Sequence, residues 1–145
     1  MVNTYEKALS LIKIRPHHSE ELKRKLLMRG FGHGEVSETI LRLTEQGLLN
    51  DAQFGQMYLE SLLRYKTYGF YGLKAKLLQK GLASNEAEKL LRENLSLDLE
   101  LELAAKLLRK GRLLTRDQAA SKLARKGFRS EVVSRAIGNL SNNMV

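Results

Sequence analysis

An all-α fold of three tandem three-helix repeats is the architecture this sequence predicts, and three observations point to it. A basic residue, a glycine and an apolar residue recur as Arg29-Gly30-Phe31, Lys80-Gly81-Leu82 and Lys126-Gly127-Phe128, with the glycines 51 and 46 residues apart. Apolar residues follow the same offsets. Upstream stand Leu26, Leu77 and Leu123, then Leu22, Leu73 and Ala119; downstream stand Val36, Ala87 and Val133, then Ile40, Leu91 and Ile137. Within each copy these residues fall four apart, which lines one face of a helix, and a glycine between two such segments suits a left-handed helix stop.

The same offsets carried further upstream match Ala8, Leu59 and Ala105, and Leu11, Leu62 and Leu108, so each unit holds three helices, A, B and C. The A helices are expected near 4–14, 51–65 and 97–110, the B helices near 19–29, 70–80 and 115–126, and the C helices near 34–46, 84–94 and 130–140. The units are then 1–50, 51–96 and 97–145, one continuous array of elongated or crescent shape. Pro16 disfavours helical geometry at Arg15 and ends the first helix, leaving His18 or Ser19 to start the next. Leu95 to Leu103 reads LSLDLELEL, an alternation that resembles a half-buried strand. It is assigned to helix because Leu and Glu are good helix formers, no β-branched residue is present, and no other segment offers a strand to pair with. Asp98, Glu100 and Glu102 near its start, with Lys106, Arg109 and Lys110 near its end, suit the helix dipole.

The chain carries 25 Lys plus Arg against 16 Asp plus Glu, a formal charge of +9, and its pI is near 9.9. That balance favours an anionic partner: nucleic acid, a membrane surface or an acidic protein. With 43% hydrophobic residues a core is within reach. The absence of cysteine excludes disulfides, thiolate metal sites and cysteine nucleophiles, and fits a reducing, cytoplasmic setting. The first residues carry Glu6, Lys7 and Lys13 and lack the unbroken apolar stretch of a signal peptide, and no apolar run is long enough to span a membrane.

No catalytic constellation, cofactor motif or metal set is expected. His17, His18 and His33 have neither a cysteine nor an HxxxH spacing to support a metal site and read as capping or surface residues. Gly30, Gly32 and Gly34 follow no strand and precede no Lys-Ser/Thr, so they read as a helix-to-helix turn rather than a phosphate loop. Serine and acidic residues occur without a nucleophile motif.

Three features could meet a partner. Lys25, Lys76 and Lys122 share one repeat position, and Arg29, Lys80 and Lys126 another; they either complement helix dipoles or form a ladder of charge along the array, and both can hold together. From Leu103 to Arg129 nine basic residues, Lys106, Arg109, Lys110, Arg112, Arg116, Lys122, Arg125, Lys126 and Arg129, face Asp117 alone, which favours contact with phosphate or acidic side chains. Five of the nine Phe and Tyr residues lie between 58 and 71: Tyr58, Tyr65, Tyr68, Phe70 and Tyr71, with Arg64, Lys66, Lys74 and Lys76 interleaved or following. Phe54 and Tyr58 are core at helical spacing; Tyr68 and Tyr71 either pack a turn or form a partner hot spot or stacking platform.

These residues also resemble a known family. Arg15 followed by HSEELKRKLLMRGF from His18 to Phe31, the junction Gly47-Leu48-Leu49-Asn50-Asp51-Ala52-Gln53-Phe54, and YGFYGLKAKLLQKGL from Tyr68 to Leu82 are similar in order and spacing to the RecX family of bacterial recombination regulators. Three departures stand out: the first Ser is displaced by one position, Lys76 replaces an acidic residue, and Arg64 is out of register. The resemblance implies a three-repeat helical protein that binds the RecA recombinase, lies along its filament on single-stranded DNA and restrains filament growth and activity, with no catalytic site of its own. Beside it, the chain is expected to be a monomer without cofactor or membrane partner, with weak non-specific DNA contact by the basic stretch as a contributing interaction. The alternative is a basic protein that contacts DNA directly through helix-turn-helix-like pairs. Such a reader needs donors on the second helix of each pair, and the C helices are poor in them: Glu35 and Glu38 with only Arg42, then Glu86, Glu88 and Glu93, then mainly Arg135 and Asn139.

Overall fold

The computed structural model describes residues 2–110 and 113–143, the last three as backbone. Among the described residues there are nine α-helices and no strand. The A helices are α1 (Thr4–Ile14), α4 (Asp51–Tyr65) and α7 (Leu97–Arg109). The B helices are α2 (Ser19–Met28), α5 (Phe70–Gln79) and α8 (Arg116–Arg125), and the C helices are α3 (His33–Glu45), α6 (Ser84–Asn94) and α9 (Ser130–Asn143). All nine lie where the apolar periodicity placed them.

Every B helix stops in the same way. The N–H groups of Phe31, Leu82 and Phe128 donate to the carbonyls of Leu26, Leu77 and Leu123 at 3.3, 3.2 and 3.1 Å, and Gly30, Gly81 and Gly127 donate to Leu27, Leu78 and Ala124 at 3.0 Å each. This paired closure requires a left-handed residue at its centre, where glycine carries no Cβ penalty. The three glycines have φ of +92°, +113° and +81°. At the other ends, the side chains of Asn3, Asn50, Ser96 and Thr115 accept from the N–H groups of Glu6, Gln53, Leu99 and Gln118, satisfying donors that a helix start leaves open.

The apolar residues gather in two clusters. Ala8, Leu11, Leu22, Leu26, Val36, Leu43 and Leu49 form one within the first unit. The second and third units share the other, which runs from Phe54 through Leu77, Leu91 and Leu107 to Ala136. Leu22, Leu26, Leu73, Leu77, Ala119 and Leu123, the B-helix positions of the repeat, are all fully buried. In the third unit the flanking helices depart from the offset by one residue. Ala104 and Leu107 are buried where the repeat pointed to Ala105 and Leu108, and Val132 and Ala136 where it pointed to Val133 and Ile137. The cause is packing: α9 lies against α7 as extensively as against α8, whereas α6 packs chiefly on α5, so α7 and α9 turn towards each other.

The alternating stretch LSLDLELEL is helical from Leu97 onward, and this changes the role of one acid. Glu100, expected with Asp98 and Glu102 to suit the dipole, does more: helical spacing sets it three, four and seven residues before Leu103, Ala104 and Leu107, and it is completely buried. Its carboxylate accepts from the backbone N–H of Phe70 at 3.0 Å, the N–H of Arg129 at 2.9 Å and Nε of Arg129 at 2.5 Å. One side chain of α7 thus satisfies the starts of α5 and α9 and is neutralised by a guanidinium.

The first junction uses the same device. Asp51, the first residue of α4, accepts from the N–H of Ser19 at 2.7 Å and from its hydroxyl at 2.5 Å. Beside each carboxylate, the glycine turn of the following unit sits against the start of the preceding B helix. A Cβ on Gly81 would lie 3.1 Å from Glu20, Glu21 and His18. The contact is closer between the second and third units, where the N–H groups of Gly69 and Tyr71 donate to the carbonyls of Lys126 and Gly127 at 3.0 and 2.8 Å. A Cβ on Gly72 would fall 2.3 Å from the Lys126 carbonyl oxygen.

Leu77→Ala is expected to lower unfolding free energy by about 2–5 kcal/mol in denaturant titrations, because it empties a fully enclosed site. Glu100→Ala is expected to cost about 3–5 kcal/mol, since it strands the Arg129 guanidinium and two helix-start donors. Unchanged denaturation midpoints in either variant would contradict the assignment.

Candidate partner-binding surface

The two ladders of basic residues lie at the ends of the B helices, and the junctions bring their members together across unit boundaries. At the second junction the ammonium groups of Lys76, from α5, and Lys126, the residue after α8, lie 5.5 and 5.1 Å from the ring centroid of Tyr68. At the first junction Lys25, from α2, lies 2.9 Å from Nε2 of His17, and Lys80, the residue after α5, lies 5.7 Å from the Tyr58 ring and 3.8 Å from the Glu21 carboxylate. His17 and Tyr68 are themselves 51 residues apart, so the same repeat position receives the lysine in both places. Arg29 and Lys122 are the end members of this stripe.

The four inner lysines are half-buried, with their stems packed and their charged heads at the surface. Around Glu21 the electrostatics are crowded. Burial alone would raise the Glu21 carboxyl, but the hydrogen bonds and charge of Arg15, at 3.0 and 2.8 Å, with Lys80 beyond, hold it below the usual carboxylate range. Burial, with the Arg15 and Lys80 charges, pushes the Lys25 ammonium below its ordinary value, and burial also lowers the His17 imidazole. Nδ1 of His17 faces the Arg15 carbonyl at 2.9 Å and Nε2 faces the Lys25 ammonium, so the ring is neutral, donating from Nδ1 and accepting at Nε2.

Other expected residues divide. Arg64 lies 6.0 Å from the Tyr65 ring, Lys66 follows α4 and is exposed, and Tyr71 is 59% exposed with its ring edge-on to Phe70. Arg109 and Lys110 close α7 and are exposed; Arg116 and Arg125 open and close α8 and are exposed; Arg112 lies outside the described residues. Arg129 is engaged by buried Glu100 and stacked over Phe70 at 4.7 Å. Tyr68 is flanked by two ammonium groups. Of the histidines read as capping or surface residues, His18 caps α2 while buried, its Nδ1 accepting from the N–H of Glu20 and its Nε2 donating to Glu86 at 3.1 Å; His33 is exposed, and His17 is buried.

The arginines of the C helices are engaged within the chain, whereas Lys89 of α6 is exposed. Arg42 lies over Tyr5 at 4.0 Å, Arg92 bonds Glu88 at 3.1 Å, and Arg135 bonds Glu131 at 2.8 Å. Among the described residues no group of three acidic or histidine side chains could hold a metal ion, and no helix is long and apolar enough to cross a membrane.

No family sequence model matches the chain. The regulatory protein RecX of Prosthecochloris aestuarii is 30% identical over 140 residues, covering 94% of this chain and 93% of that protein. The chain belongs to the RecX family. RecX of Pelodictyon phaeoclathratiforme is 32% identical over 134 residues, covering 90% of this chain and 84% of its own. The crystal structure of RecX from Lactobacillus salivarius superposes with a TM-score of 0.84 at 23% identity, over 95% of this chain and 94% of the other, and shows the shared fold.

The segments that carry the RecX resemblance are junction segments here. Asn50 caps α4, Asp51 caps α2, and Phe54 stacks on Tyr58 at 5.8 Å. Tyr68, Gly69 and Gly72 form the seat for the third unit's glycine turn. Arg15, His17 and Glu21 were missed as members of the stripe, because the charge ladder was counted only on cations that recur at the B-helix repeat positions.

A neutral buried His17 has a pH consequence. Its folded pKa lies below the ordinary 6.5, so the unfolded chain binds the proton more readily, and stability is full above pH 6.5 and falls as pH drops below it. His17→Gln is expected to flatten the change in melting temperature across the acidic side of neutrality. An identical pH dependence in the variant would show that His17 does not titrate against folding.

Proposed function

We propose that this RecX chain binds RecA and its filament on single-stranded DNA and restrains filament growth, recombinase activity and ATP hydrolysis. The observation that carries the reading is the pairing of ladder lysines at both unit boundaries, in a chain whose relatives are regulatory proteins. Paired cations at successive junctions suit a partner whose anionic groups also repeat. The three units, 1–50, 51–96 and 97–145, act as one continuous array and a cytoplasmic monomer, without catalysis of their own. Phosphate contact by the exposed arginines of α8 contributes a salt-dependent, sequence-independent share. The helix-turn-helix reading draws no support, since the C-helix arginines described above are spent on internal contacts.

The test is co-sedimentation with RecA filaments assembled on single-stranded DNA, compared with each component alone. The chain is expected to pellet with filaments and to lower RecA ATP hydrolysis only through loss or blockage of filament. Lys76→Glu with Lys122→Glu is expected to slow association and flatten its salt dependence, while Tyr71→Ala is expected to speed dissociation, with helicity unchanged in both. Parent-like kinetics in both folded variants would place the interface elsewhere.

A further inference from the structure

Two adjoining cavities lie where the first unit meets the second. The larger, about 410 Å³, is walled by Leu9, Ile12, Leu48 and Phe54, among others. The smaller, about 210 Å³, is bounded by Arg15, Tyr58 and Lys80, and the two share Pro16, Phe54 and Met57. Large apolar side chains stand open here: Leu48 is 52% and Met57 47% exposed. An apolar recess with open aliphatic walls is what a partner's anchor side chain fills.

Charge identifies the class of partner. Every charged residue lining either cavity is basic: Lys13, which is exposed, and Arg15 and Lys80, which share the single Glu21 carboxylate behind the wall. The cavity beside α1 and α3 instead carries Glu35 and Glu38 next to Arg42, and that between α4 and α6 carries Asp51, Glu86 and Glu93 next to Lys89. We propose that these paired cavities receive a short acidic protein segment, held by an aliphatic or aromatic anchor in the recess and by its carboxylates on Lys13, Arg15 and Lys80. The inference rests on the reading of the chain as a regulator that holds a protein partner, and it names the chemistry of that partner at one place.

Nucleic acid fits the recess less well. Bases stack on open aromatic faces, and here the walls are aliphatic while Phe54 and Tyr58 are already stacked on each other at 5.8 Å. A second copy of the chain is disfavoured by mutual repulsion, each copy carrying a formal charge of +9.

Fluorescence anisotropy with two labelled peptides of about twelve residues tests this. Both are Glu-rich; one carries Leu and Phe four positions apart and its twin carries Ser at both. The parent chain is expected to bind the anchored peptide at least about tenfold more tightly than the twin. Met57→Glu and Leu48→Glu, each checked for an unchanged melting temperature, are expected to abolish that advantage, and Lys89→Glu on α6, where the side chain is exposed, to leave it intact. Absence of binding, equal binding of the twins, or binding indifferent to both groove variants would overturn the proposal. So would loss of oligo-deoxythymidine binding in the groove variants, or a parent dimer that Met57→Glu dissociates, since each names another occupant. No filament is present in these measurements. A chain that fails them yet still pellets with RecA loses only the groove, whereas one that passes them and does not pellet loses the RecA reading.

Discussion

The starts of the first two B helices, α2 and α5, each take an anion from the next unit. A helix beginning exposes unpaired N–H groups and the positive end of its dipole, and at a buried junction water is not there to satisfy them. The carboxylate comes from the A helix of the next unit: Asp51 for α2 and Glu100 for α5. The two are not repeat equivalents, since one opens α4 and the other is the fourth residue of α7. What recurs is the requirement, met wherever the local packing allows a carboxylate to reach. Glu100 meets it at a greater depth, and its burial is tolerable because Arg129 supplies the countercharge and the two N–H donors complete its hydrogen bonds.

The same contacts place the candidate surface. Seating the glycine turn of one unit on the helix start of the unit before it carries the residue after each B helix, Lys80 or Lys126, towards the preceding helix and its Lys25 or Lys76. Like charges are brought together and separated by an aromatic or imidazole ring and, at the first junction, by Glu21. Such cations are held with less freedom than exposed lysines and remain under-neutralised, so an anionic partner gains more from meeting them. On the proposed reading, fold stability and partner affinity share residues at the junctions, and the exposed ends of α8 are where charge can change without touching the core.

Much of this was legible in the sequence. The glycine spacing located all three B helices and their stops, because only a left-handed residue closes them, and the fourfold apolar spacing located the A and C helices. What escaped had physical reasons. The one-residue turn of α7 and α9 follows from packing between those helices, which no repeat offset within a single chain encodes. Glu100 was hidden by that same shift: the offset put the buried face of α7 at Ala105 and Leu108, which Leu101 would share, and only the observed face of Ala104 and Leu107 takes in Glu100. Lysines at equivalent positions could be counted, but their convergence across a boundary needed the junction itself, and the shared position of His17 and Tyr68 was the one available signal.

Amide hydrogen exchange of this chain, with and without RecA filaments on single-stranded DNA, shows whether the junction stripe is the face turned to an anionic filament, as proposed. Added protection is expected at the ends of all three B helices, across Lys25 to Gly30, Lys76 to Gly81 and Lys122 to Gly127, with the C helices unchanged. Protection confined to α3, α6 and α9, with the B-helix ends exchanging as in the free protein, would contradict it.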